Sequence, residues 1–199
     1  TALLGKLFGK KFVEGNPKSY QNGDKKIPYE VIKTVQGKDL VGIQYEQLLP
    51  YALPHERPED AFKVIPGDFV TTEDGTGIVH TAPTFGADDA KVAADAGVPP
   101  LLVMDENDNL VPLVDLRGKF RPELADPIFG LGNEYIKAEY LTDAEKETSF
   151  LEQKEKLKPI IPELKTYLSV DERIALKLKL ENKAFKIEKY EHSYPHCWR

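Results

Sequence analysis

Between residues 75 and 89 the chain reads Gly75-Thr-Gly-Ile-Val-His80-Thr-Ala-Pro-Thr-Phe-Gly-Ala-Asp88-Asp89, and this run restricts the fold more tightly than any other stretch. Its glycines suit a tight turn, Ile78 and Val79 a short apolar strand, Pro83 a stop, and the two acids a helix start. A phosphate-binding loop needs the reverse order, glycines after a strand and a Lys-Ser/Thr pair opening the helix. Here the glycines precede the strand, so they read as the bend of a hairpin. His80 then lies at a strand end and Asp89 in a first helical turn. Each has a plain structural role, the histidine as a solvated side chain and the acid as a partner of the helix dipole. Together they would offer a carboxylate for an ammonium group with an imidazole wall beside it.

Alternation and punctuation place the remaining elements. Residues 27–47 alternate through Tyr29, Val31, Val35, Val41, Ile43 and Tyr45 and break at Gln36-Gly37-Lys38-Asp39, which predicts a β-hairpin. Pro50, Pro54, Pro58 and Pro66 predict an irregular excursion over 48–67. Phe69-Val70 and Ile78-Val79-His80 flank Asp74-Gly75 as a second hairpin. Residues 88–97 predict a helix with Asp88 as N-cap and Gly97 as its end. Leu101–Met104 and Leu110–Val114 predict strands about a turn at 105–109, and Gly118–Gly132 a loop. Thr142 with Glu145, and Ser169 with Glu172, fit the capping box. The first of these helices should end near Leu157, and the second should bury Val170, Ile174 and Leu178. Phe185 and Ile187 predict a last strand. The expectation is a mostly β body with helical decorations, about 1–140 and 184–192, carrying a helical appendage at about 141–183.

Composition removes several classes of function. Apolar residues at 41% and charged residues at 30% are ordinary for a globular chain. No apolar run approaches the roughly 20 residues that span a bilayer, so no membrane partner is expected. Cys197 is the single cysteine, which excludes an internal disulfide and favours a cytoplasmic setting. His55, His192 and His196 lack zinc-ligand spacing, so no metal is expected. Cys197 has no evident base partner, and no Gly-x-Ser-x-Gly elbow occurs. A net charge of −6 argues against tracking a long nucleic-acid backbone, though not against gripping one RNA end. Lys10-Lys11 and Lys25-Lys26 form two small basic spots, readable as solvated surface or as phosphate contacts. The start at Thr1, without Met or a signal layout, suggests a cut within a longer protein.

The run Gly67–Asp89, with Leu48-Leu-Pro-Tyr51 and Ser193-Tyr-Pro-His-Cys-Trp-Arg199, resembles the inserted editing (CP1) domain of the isoleucyl-tRNA synthetases, class I aminoacyl-tRNA synthetases. His80-Thr-Ala-Pro83 separates this likeness from the related valyl and leucyl enzymes. The resemblance implies one editing domain over 1–199, a closed β-barrel, with 193–199 starting the return to a catalytic domain. It implies hydrolysis of valine esterified to the 3′ end of tRNA(Ile), within an enzyme that ligates isoleucine using ATP and Mg in that other domain and no cofactor here. The implied partners are that tRNA end and the rest of the synthetase polypeptide. Asp89 would hold the substrate α-amino group and His80 would line the side-chain pocket against isoleucine, as the catalytic pair. Gly75, Thr76, Gly77, Thr81, Phe85, Gly86 and Asp88 would bind substrate. The general base is left open between His80 and the adenosine hydroxyl. The family's threonine-rich strand lies upstream of residue 1, which leaves hydrolysis by this chain alone open. The alternatives are a module that only binds the aminoacylated RNA end and an unrelated β-barrel interaction domain.

Overall fold

The computed structural model describes residues 5, 8–71, 73 and 76–188, which fall into two compact units. The first unit is Thr1–Gln47 with Pro54–Leu102, and the second is Leu48–Leu53 with Val103–Arg199.

In the first unit β1 (Phe12–Glu14) pairs in parallel with β2 (Ile27–Tyr29), Phe12 opposite Ile27 and Glu14 opposite Tyr29. Residues 15–26 make the crossover that a parallel pair requires. They contain a 3-10 turn at Pro17–Ser19, whose Asn16 side chain accepts the Lys18 N–H at 3.0 Å. The expected hairpin over 27–47 stops at Tyr29. Gly37–Leu40 is a 3-10 turn boxed by Gln36 and Asp39, and the chain beyond it makes an isolated antiparallel bridge, Gln44 to Lys63.

The helix α1 (Ala87–Asp95) ends as the sequence predicts. Gly97, at φ +68°, donates to the Ala94 carbonyl at 3.0 Å, and Val98 donates to Ala93 at 2.8 Å. This is a Schellman closure, for which glycine is favoured because the left-handed backbone crowds a Cβ.

The second unit is organised by two capped helices. In α2 (Asp143–Lys156) the Thr142 hydroxyl accepts the Glu145 N–H while Glu145 accepts the Thr142 N–H; Ser169 and Glu172 repeat the arrangement at α3 (Val170–Leu180). Each such cap is worth about 1 kcal/mol. Phe129, Leu157 and Leu164 form the core here, with Phe150, Ile160, Ile161, Leu168 and Leu176 packed on it. The buried Gln153 accepts the Leu168 N–H at 2.8 Å and donates to its carbonyl at 3.0 Å, which pins the connector between the helices. β3 (Leu102–Met104) and β4 (Leu110–Pro112) pair across the predicted turn. There the Asp105 carboxylate accepts the N–H groups of Asn107 and Asn109, both at 2.9 Å.

The described residues form neither the closed β-barrel nor the mostly β body that was expected. Among the described residues the sheets are two separate pairs of three-residue strands, β1–β2 and β3–β4, whereas the three α-helices run 9, 14 and 11 residues. Alternation describes one strand, but closure requires every strand to have two hydrogen-bonded neighbours. Val31, Val35, Val41, Ile43 and Tyr45 are exposed instead of lining an interior. Phe69-Val70 and Ile78–His80 form no strand, and their expected bend, Asp74-Gly75, lies outside the described residues. Phe185 and Ile187 are exposed and make no last strand; 189–199 lie outside the description. No described helix is long and apolar enough to cross a membrane.

Candidate functional site

Asp89 stands in the first turn of α1 and turns its carboxylate back on the chain that leads into the helix. Its Oδ2 accepts the Ala82 N–H at 2.9 Å. A Cβ on Gly86 would meet Asp89 Cβ, Cγ and Oδ2 at 3.3–3.4 Å, so the glycine leaves room for this folded-back side chain. Phe85 N–H donates to the Ala82 carbonyl at 3.1 Å, tightening the bend between them. Residues 82–89 thus form a clasp, closed by a half-buried carboxylate. A carboxylate offers about four acceptor sites, and the Ala82 N–H occupies one of them.

The helix start differs from expectation. The N-cap is Gly86, extended at φ −129° and ψ 134°, and its carbonyl accepts the Ala90 N–H at 2.8 Å. The bend at 82–85 feeds the helix early, so Asp88 falls within the first turn and is exposed. Thr84 was not singled out from the sequence. Its hydroxyl accepts the Leu101 N–H at 3.1 Å and donates to the Leu101 carbonyl at 3.4 Å, tying the clasp to the segment after α1. Its only sequence signal is a hydroxyl just after the proline, which is too common to stand out.

His80 is exposed, in chain outside any strand. It precedes Ala82 by two residues, which span at most about 7 Å, so the His80 backbone lies within about 10 Å of the Asp89 carboxylate. Thr81 is half-buried and Phe85 exposed. Thr76 and Gly77 make a turn of their own: the Thr76 hydroxyl accepts from the Ile78 N–H at 3.3 Å and donates to its carbonyl at 3.1 Å, and Gly77 takes φ +77°. Gly75 lies outside the described residues. The structure therefore gathers Asp89, Gly86 and Phe85 into one clasp, with Thr81 and His80 leading into it. Among the described residues no group of three or more His, Cys, Asp or Glu could hold a metal ion.

The second unit has a groove of about 510 Å³ lined by Lys119, Glu134, Tyr135, Glu145, Glu152 and Lys156 among others. Three of its carboxylates are already engaged, Glu145 in the α2 cap, Glu134 with Arg173, and Asp126 with Tyr51 and Lys177. The Arg173 guanidinium, 1% exposed, is held by both Glu134 oxygens and donates to the Phe129 carbonyl at 2.5 Å. Glu134 also accepts the Leu131 N–H at 2.9 Å. Beside it, Asp126 accepts from Tyr51 OH at 2.7 Å and from the N–H groups of Ile128 and Phe129 at 2.9 and 2.8 Å, and pairs with Lys177 at 3.3 Å. Burial and the Asp126 bond push the Tyr51 phenol up to about 12. Burial works to raise the Asp126 carboxyl, but the Phe129, Tyr51, Ile128 and Lys177 donors together hold it below the usual range. These groups bind loop 126–134 to α3; every strong partner is internal, which marks a scaffold.

No family model matches the chain. The curated proteins to which it is similar over its full length include three named isoleucine–tRNA ligase. The identities are 55% to that of Cytophaga hutchinsonii, 46% to that of Bacteroides fragilis and 44% to that of Porphyromonas gingivalis. The chain spans 16%, 16% and 17% of those proteins respectively.

Proposed function

The chain is homologous over its whole length to one region of the isoleucine–tRNA ligases, and from that premise we propose that it is the region that removes valine wrongly attached to tRNA(Ile). One methylene alters binding in an apolar pocket by only about 1–3 kcal/mol, a known figure for which isoleucyl-tRNA synthetase is itself the usual illustration. A ligase that accepts isoleucine therefore needs a second, smaller site for valine. The observation that supports assigning that site here is the Asp89 clasp: a half-buried carboxylate fixed by the Ala82 N–H, with His80 two residues away.

In this reading the free lone pairs of Asp89 take the ammonium of the esterified amino acid, and His80 limits the room for its side chain. An aminoacyl ester is already activated, so holding its carbonyl in place for a water supplies most of the acceleration. His80 and the adenosine hydroxyl are the candidate bases. The full enzyme would charge tRNA with isoleucine using ATP and Mg bound outside this chain.

The test uses the full-length ligase and valyl-tRNA(Ile). Asp89→Asn keeps an acceptor for the Ala82 N–H and removes the charge, so hydrolysis should fall by about 100-fold with the thermal midpoint little changed. His80→Ala in the same enzyme should expose isoleucyl-tRNA(Ile) to attack. Parental hydrolysis in the Asp89→Asn enzyme, followed by release of labelled valine, would overturn the assignment.

A further inference from the structure

The two lysine pairs that lie apart in the sequence meet in the structure. Parallel pairing sets Phe12 opposite Ile27, so Lys10-Lys11 and Lys25-Lys26 enter β1 and β2 side by side. The Lys26 ammonium donates to the Lys10 carbonyl at 2.6 Å, which fastens the pairs together. All four side chains are exposed. The ion pairs among the described residues lie elsewhere, from Arg57–Asp60 to Lys186–Glu188. Between residues 8 and 33 six lysines stand against three acids, in a chain of formal net charge −6.

Like charges gathered without carboxylate partners repel one another, and a polyanion relieves that repulsion by releasing its own counterions. Aromatic rings adjoin the cluster: Phe8 lies 5.1 Å from Phe12 and 4.5 Å from Tyr29, and all three are half-buried. A cluster of exposed lysines leading into strands that also carry aromatic residues suits a nucleic-acid backbone with an unstacked base better than a carboxylate-rich protein surface.

We propose that Lys10, Lys11, Lys25 and Lys26 form a phosphate-backbone contact for RNA, built from residues that the 75–89 run does not contain. It rests on the tRNA partner of the proposed function but not on hydrolysis. Each lysine that meets a phosphate contributes about 0.7–0.9 to the slope of log affinity against log salt.

The experiment takes the full-length ligase with Lys10→Gln, Lys11→Gln and Lys25→Gln combined, keeping Lys26 because it holds the Lys10 carbonyl. Binding of transcribed tRNA(Ile) is measured by fluorescence anisotropy from about 50 to 200 mM KCl. The slope should lose about 2–3 and the affinity at low salt about tenfold or more, with both restored when the three positions are arginine. An unchanged slope overturns the contact. So does a variant that keeps the tRNA slope but loses binding to polyglutamate, which would make the partner an acidic polypeptide. If the triple variant does not fold, Lys11→Gln alone should lower the slope by about 1. Asp89→Asn should leave the slope at its parental value, so failure of the hydrolytic reading and failure of this contact are told apart.

Discussion

Glu134→Ala is expected to destabilise the protein by about 3–5 kcal/mol, because it strands a buried guanidinium without its counter-charge. Arg173 is 1% exposed, and its Nε already lacks a hydrogen-bond partner. Gly130 makes the geometry stricter still. At φ +80° its Cα lies so close that a Cβ would overlap Glu134 Oε1 and press on Arg173 Nη1. The pair specifies the loop more than it adds net stability, since removing two ions from water offsets much of their attraction. Glu134→Leu with Arg173→Met should therefore recover most of the loss, to within about 1–2 kcal/mol of the parent. Urea unfolding measures both; a single variant costing under about 1 kcal/mol would contradict the argument.

Asp126→Ala is expected to cost about 3–5 kcal/mol by a different route: it leaves the Ile128 and Phe129 N–H groups, the Tyr51 hydroxyl and the Lys177 ammonium without their common acceptor. The same cluster sets the pH profile. The Asp126 carboxyl is held below its ordinary value. Its contribution is present above the unfolded pKa near 3.9 and is lost as pH falls through the lower folded one. Tyr51 is raised from 10.0 to about 12. Its contribution is complete below about 10 and fades as pH rises from there toward about 12. Lys177, raised chiefly by its bond to Glu181 and then by Asp126, acts in the same alkaline direction. Thermal midpoints should therefore fall at both extremes. Tyr51→Phe should flatten the alkaline limb and leave the acid limb; an unchanged alkaline limb would exclude the phenol as its source.

Local chemistry was legible in the sequence, whereas long-range pairing was not. Thr142 with Glu145 and Ser169 with Glu172 start their helices as read, because a capping box is complete within four residues. Gly97 closes α1 for the same reason. The barrel failed because the partners of Val31, Val41 or Tyr45 are not encoded in their own spacing. Arg173 sits inside the Val170–Leu178 stretch, where no sequence pattern marked it, and it is as fully buried as Val170. Its partner Glu134 is 39 positions away, beyond any local pattern. At the candidate site the run 75–89 pointed to Asp89, but the N-cap was misplaced by two residues, and Thr84 was missed because its partner Leu101 lies beyond the helix.

The six residues Leu48–Leu53 belong to the second unit although the chain on both sides of them belongs to the first. Neither half can be excised as one uninterrupted piece. A polypeptide begun at Val103 would lack the phenol that Asp126 binds from 75 positions upstream, and one ended at Leu102 would carry a hexapeptide with nowhere to dock. During synthesis Tyr51 leaves the ribosome well before its carboxylate does, so this stretch must wait, unsatisfied, for the later half to arrive.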